Sequence, residues 1–139
     1  MGAVEPAAAG SRIFIVEDSP SVRRCLVELV GQIRGVTIVG EAESPEEAIA
    51  GIFRTLPHCV LLDFRLTGGT GVEVLRAVHP VLPDIGFIVL TNHPNAQYRR
   101  ACIEAGAMAF LDKSTELGTL PQRIAECVLT HVAEAKHDG

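Results

Sequence analysis

At 139 residues, 47% apolar and 21% charged, the chain has the size and balance of one globular domain with a sizeable core, and no second full domain fits. Its longest apolar runs, residues 13–16 and 85–90, fall far short of the roughly 20 residues needed to cross a bilayer. A formal net charge of -5 argues against broad electrostatic capture of nucleic acid, and one Tyr with no Trp leaves little for a base-stacking platform.

Residues 1–11 are rich in Ala, Gly and Pro and lack the basic start and apolar centre of a secretory signal. They read as a disordered leader to a domain over residues 12–135, with residues 136–139 as a tail. The first strand is expected over residues 12–17, ending in acids. Ser19 and Pro20 then supply an N-cap and a first-turn proline. Val22, Cys25, Leu26, Leu29, Val30 and Ile33 recur at helical spacing until Gly35. A second strand over residues 36–40 precedes Ser44, Pro45 and Glu47, a capping-box start for a helix that Pro57 ends.

Residues 59–62 run apolar without alternation into Asp63, as in a strand covered on both faces. The glycine-rich turn at residues 68–71 leads to a third helix carrying Val72, Val74, Leu75 and Val78. A fourth strand over 85–90 ends at Thr91, a fourth helix spans 94–105 and stops at Gly106, a fifth strand covers 107–111, and a closing helix covers 117–135. Five strand–helix units imply a doubly wound α/β fold, a parallel sheet with helices on both faces, because each crossover must return over the sheet. Cys25, Cys59, Cys102 and Cys127 stand singly in apolar segments, without CxxC spacing, and read as reduced core thiols of a cytosolic protein.

In such sheets ligands bind outside the carboxyl ends of the strands, near the point where the strand order reverses. Glu17 and Asp18 follow the first strand, Asp63 ends the third, Thr91 ends the fourth and Lys113 follows the fifth. Three carboxylates in one cleft repel one another unless a hard cation such as Mg2+ joins them. Lys113 and the Thr91 hydroxyl could hold oxygens of a phosphoryl group attached to Asp63. Taken singly, each of these residues is ordinary: an acidic strand end, a turn cap, a surface charge. The glycines at 68–71 lack P-loop spacing, and His58, His79, His93, His131 and His137 lack the spacing of a zinc site.

This pattern resembles the receiver domain of two-component response regulators, over residues 12 to about 132. The resemblance rests on VEDS at 16–19, LLDF at 61–64, LT at 90–91 and AGAMAFLDK at 105–113, with gaps of 45, 28 and 22 positions separating Asp18, Asp63, Thr91 and Lys113. It implies a flavodoxin-like (βα)5 fold. It further implies that Asp18 binds Mg2+ directly, Glu17 binds through water or at longer reach, and the main-chain carbonyl of Arg65 completes the protein ligands. Asp63 becomes the phosphoacceptor, Thr91 the switch hydroxyl, Phe110 a switch aromatic that turns inward, and Lys113 the phosphate-binding ammonium.

The implied partners are a sensor histidine kinase or phosphotransfer protein, and a downstream protein meeting the face of the fourth and fifth helices, where Arg99 and Arg100 stand. A homodimer through that face is a further expectation. Neither direct nucleic-acid binding nor membrane contact is expected, and the location expected is cytoplasmic. Thr67, Asn92 and Ser114 depart from common family residues; Asn92 and His93 are expected to narrow access to the phosphate and alter its lifetime.

With 26 residues after Lys113, a last helix fits and a helix-turn-helix domain does not, so the chain reads as a stand-alone receiver, a phosphoacceptor and not a turnover enzyme. The alternative is the receiver fragment of a DNA-binding helix-turn-helix regulator. A Mg2+-dependent phosphatase is the third reading, and it lacks a DxDx[TV] acceptor pattern.

Overall fold

The computed structural model describes residues 10–128. The leader up to residue 9, the end of the expected closing helix and the tail lie outside the described residues. Five parallel strands, β1 (Ser11–Val16), β2 (Val36–Ala42), β3 (Cys59–Asp63), β4 (Gly86–Thr91) and β5 (Ala109–Asp112), form one sheet in the order β2-β1-β3-β4-β5. The order reverses at β1, which pairs with β2 on one side and β3 on the other. The expected doubly wound α/β class is therefore observed.

Alternation along the buried strands builds two cores. Phe14, Val16, Val60, Leu62, Phe87, Val89 and Phe110 point to one face, where α2 (Pro45–Thr55), α3 (Gly71–Val78) and α4 (Ala96–Glu104) cover them. Ile13, Ile15, Cys59, Leu61, Ile88, Leu90 and Leu111 point to the other, under α1 (Pro20–Gly31) and α5 (residues 120–128). A strand sandwiched in this way needs apolar residues at every position, which is why β3 carries no polar alternation before Asp63.

Local chemistry sets most boundaries where the sequence places them. Ser19 Oγ accepts from Val22 N at 3.4 Å to cap α1, and Ser44 Oγ accepts from Glu47 N at 3.2 Å to cap α2. Several boundaries differ: β2 runs on to Ala42 past residue 40, and β5 covers Ala109–Asp112 where 107–111 is expected. Helix α1 stops at Gly31, short of Gly35, because Ile33 packs onto the core from the turn and not from the helix. Helix α4 starts after Asn95, whose Oδ1 accepts from Tyr98 N at 2.8 Å, not at Pro94. The closing segment opens with a 3-10 turn, Leu117–Thr119, before α5. Leu56 ends α2 in the left-handed region (φ 49), since Pro57 bars the helical conformation just before it, and Arg12 Nη2 donates to its carbonyl at 2.5 Å.

Cys59, Cys102 and Cys127 are buried thiols, but Cys25 is exposed, contrary to the core position expected. Leu26 and Val30 carry the buried stripe of α1, and Cys25, one residue earlier, is rotated about 100° off it.

The Phe14 ring fits where two glycines, Gly40 on β2 and Gly51 in α2, leave room. A Cβ at Gly51 would lie 2.6 Å from Phe14 Cζ, and one at Gly40 would also strike the ring from its other contact. Helix propensity alone would make Gly51→Ala stabilising by about 1 kcal/mol. Overpacking makes it destabilising instead, by roughly 1–3 kcal/mol, and pairing it with Phe14→Leu should recover much of the loss in urea unfolding.

Candidate functional site

Glu17 leaves β1 as the ladder closes, its N–H donating to Ala42 O at 2.9 Å. Its side chain is 1% exposed, with Oε2 accepting from Ser19 N at 3.1 Å and Oε1 accepting from Lys113 Nζ at 2.6 Å. Asp63, the last residue of β3, lies beside it with Oδ2 3.2 Å from the same ammonium. Lys113 is itself buried, placed by its own N–H donating to Thr91 O at 2.8 Å just past the end of β5. Asp18, half-buried, completes a group in which one carboxylate oxygen from each of Glu17, Asp18 and Asp63 lies within 4.8 Å of the others.

One ammonium thus faces three carboxylates. Burial pushes the Asp63 carboxyl up to about 7; Lys113 pulls it down, and the Glu17 charge and hydrogen bond push it up again. Without further positive charge, Asp63 resists ionisation near neutral pH.

The sequence pattern of the response regulator receiver domain matches residues 13–125. The chain belongs to this family. Among curated relatives, this receiver is 35% identical over 102 residues to the DNA-binding transcriptional activator DevR/DosR of Mycobacterium tuberculosis (strain ATCC 25618 / H37Rv), covering 73% of this chain and 47% of that protein. A LuxR-family two-component response regulator from Aurantimonas sp. SI85-9A1 superposes with a TM-score of 0.83 at 28% identity, covering 88% of this chain and 87% of that one. A CheY-like receiver domain protein from Methanospirillum hungatei JF-1 shares the fold, with a TM-score of 0.80 at 24% identity over 89% of this chain and 98% of that one. The chain spans about half the length of most of the curated relatives it matches.

The receiver's donor set fits a hard divalent cation. Carboxylate oxygens are the ligands Mg2+ selects, and here three converge where one ammonium leaves their charge under-compensated. Glu17, Asp18 and Asp63 are the side chains that could hold it. Glu17 comes to the site already engaged by Lys113 and Ser19 N, whereas Asp18 is the more open of the two.

The other expected site residues are placed less uniformly. Thr91 is buried at the end of β4, with Oγ1 accepting from His93 N at 3.0 Å, so the hydroxyl is engaged within its own turn. Arg65, exposed, enters a two-residue antiparallel ladder in which Arg65–Leu66 pairs with Gly69–Thr70. Its side chain turns away to α4, where Nη2 donates to Tyr98 Oη at 3.2 Å and the guanidinium lies 5.9 Å from the ring centroid. Phe110 is buried in the core beneath α4. Asn92 and His93 are both exposed beside the site, and Ser114 donates from N and Oγ to Asp112 Oδ1, holding the Asp112 carboxyl below its ordinary range.

Two residues escaped the sequence reading of the site. Arg23 Nη1 donates to the Glu17 carbonyl at 2.6 Å, and Tyr98 stacks on Phe64, next to Asp63, with ring centroids 4.3 Å apart. Arg23 had a signal: it stands one helical turn after the cap Ser19, so α1 must carry it back toward the end of β1. Tyr98 had none, because its contact spans 34 positions between a strand end and a separate helix.

Two outcomes follow from the charge arrangement in magnesium-free buffer. Between about pH 4 and 7 the native protein holds a proton on Asp63 that the unfolded chain has lost, so its stability falls as pH rises through that window. Asp63→Asn should therefore match wild type near pH 4 and exceed it by roughly 1–3 kcal/mol at pH 8 in urea melts. Lys113→Met leaves buried carboxylates without their cation and should cost about 3–5 kcal/mol at pH 8, with a smaller loss at pH 5.

Proposed function

We propose that this receiver accepts a phosphoryl group on Asp63 from the phosphohistidine of a sensor kinase or phosphotransfer protein, with Mg2+ held by Glu17, Asp18 and Asp63. The observation that carries the reading is the meeting of three carboxylates within 4.8 Å with an ammonium 3.2 Å from Asp63 Oδ2, at the sheet's reversal point. An Asp63 oxygen attacks phosphorus in line, the P–N bond breaks, and the histidine nitrogen keeps the electron pair and takes a proton from solvent. Bound Mg2+ supplies positive charge that favours ionised Asp63 and offsets charge on the phosphoryl oxygens. Lys113, now shared between Glu17 and Asp63, shifts one N–H to a phosphoryl oxygen. The Arg65 carbonyl serves as the remaining protein ligand.

The response runs through Thr91. Its hydroxyl exchanges the His93 N–H for a phosphoryl oxygen and draws in the turn that leads to α4. Phosphorylation raises the population of the arrangement in which Phe110 turns inward. The face of α4, β5 and α5, including exposed Arg99 and Arg100, then presents to a protein partner or a second copy.

A specific observation favours a second reading of the whole protein. Relatives that this chain matches over about half their length include the DNA-binding activator DevR/DosR and a protein described as a transcriptional regulator from Pseudomonas aeruginosa. In that reading the receiver controls a DNA-binding segment. Both readings share the same chemistry at Asp63.

Intact mass spectrometry after incubation with Mg2+ and a small phosphodonor should show one added phosphate on wild type. The adduct should be absent in Asp63→Asn and when Mg2+ is chelated. A folded wild-type protein that takes up neither phosphate nor beryllofluoride would overturn the phosphoacceptor reading.

A further inference from the structure

Arg23 lies in the first turns of α1, its N–H donating to Ser19 O at 2.8 Å, and its side chain is mostly buried at 21% exposure. The guanidinium makes one hydrogen bond and two ion pairs to residues at two strand ends. Nη1 donates to the main-chain carbonyl of Glu17 at 2.6 Å, Nε lies 3.2 Å from Glu41 Oε1, and Nη1 lies 3.9 Å from Glu43 Oε1. Glu41 belongs to β2 and Glu43 follows it, while Glu17 follows β1. Arg23, Glu41, Ala42, Glu43 and Glu47 line a small cleft of about 260 Å3.

We infer that Arg23 is a positioning residue for the cation site: it fixes the Glu17–Asp18 step by clamping the Glu17 carbonyl to the end of β2. The inference rests on the metal-dependent reading above. Asp18 follows the clamped peptide directly, and the next N–H, that of Ser19, holds the Glu17 carboxylate at 3.1 Å. The clamp and this short turn together leave the two carboxylates little freedom relative to Asp63. A planar fork can serve a carbonyl and flanking carboxylates at once; a lysine ammonium cannot do so with the same geometry. Groups that orient metal ligands through hydrogen bonds typically change metal affinity by 10–100-fold when removed.

Charge and position predict opposite signs here, which makes the role separable. Removing the Arg23 charge leaves Glu41 and Glu43 unopposed beside the site, so long-range electrostatics alone would tighten Mg2+ binding. Losing the clamp weakens it. Arg24, the exposed neighbour on α1, offers the same charge change without the clamp.

The test is calorimetric titration of the whole chain with MgCl2, comparing wild type, Arg23→Met, Arg23→Lys and Arg24→Met under conditions where circular dichroism shows each fully folded. The inference expects the Mg2+ dissociation constant to rise about tenfold in Arg23→Met and about threefold in Arg23→Lys, and to stay within twofold in Arg24→Met. An unchanged or lower constant in folded Arg23→Met overturns it, as does an equal rise in Arg24→Met. If Arg23→Met does not fold, Arg23→Lys decides: a constant equal to wild type overturns the inference, and a rise with Arg24→Met unchanged supports it. Absence of Mg2+ binding by wild type itself would overturn the metal-dependent reading first, and this inference with it.

Discussion

One buried ammonium set against three carboxylates is the constraint around which this receiver is arranged. Lys113 reaches both Glu17 and Asp63, and its desolvation is tolerable only because both acceptors are within 3.2 Å. The converse does not hold. One positive charge cannot compensate three negative ones, and Asp63, raised to about 7 chiefly by burial and further by the Glu17 charge, resists ionisation despite Lys113. Asp63 is thus the carboxylate whose ionisation the resting fold resists. An additional cation at this place would stabilise the fold and favour ionised Asp63 by the same interaction.

The parallel sheet is what makes such a concentration of charge possible. Every strand around β1 runs the same way, so the chain exits β1, β3, β4 and β5 at one edge and places Glu17, Asp63, Thr91 and Lys113 within reach of one another. The opposing cost is met by two apolar cores, one on each face, built from consecutive residues of the same strands. Phe14 filling the space left by Gly40 and Gly51 joins β1, β2 and α2 in one such core, directly below the Glu17–Asp18 step. Rigid packing below and repulsion above belong to the same strand.

Much of this was legible in the sequence because it follows from local rules. Proline and serine at the starts of α1 and α2, glycine after α4 and unbroken apolar strands specify the order of elements, and that order brings the strand ends together. What escaped depends on distances between elements. The exposure of Cys25 turns on which side of α1 faces the sheet, an angle that a shared apolar spacing with Leu26 did not resolve. Ile33 continues the helical pattern in sequence while packing from a turn. The acceptors of Arg23, namely Glu17, Glu41 and Glu43, come from two other segments, so its contacts are set only by the assembled sheet. Phe110 lies on the expected strand, and its cover by α4 follows only from the assembled sheet.

Helix α4 shows why the site can speak to a surface without disturbing the cores. Among its residues Cys102 is fully buried, and residues 92–95 that lead into it are exposed. Weak burial leaves its position to be set by tethers near its N-terminal end. The chain leading into it emerges from Thr91, whose carbonyl receives the Lys113 N–H and whose hydroxyl accepts from His93 N within its own turn. One turn into the helix, Tyr98 stacks on Phe64 and accepts from Arg65, the two residues that follow Asp63. Phe64 in turn donates its N–H to Leu90 O, the residue before Thr91. The two tethers of α4 therefore originate beside the Asp63 carboxylate and at Thr91. Both tethers thus start next to Asp63 or Thr91, while the helix they hold has little apolar burial to oppose a shift.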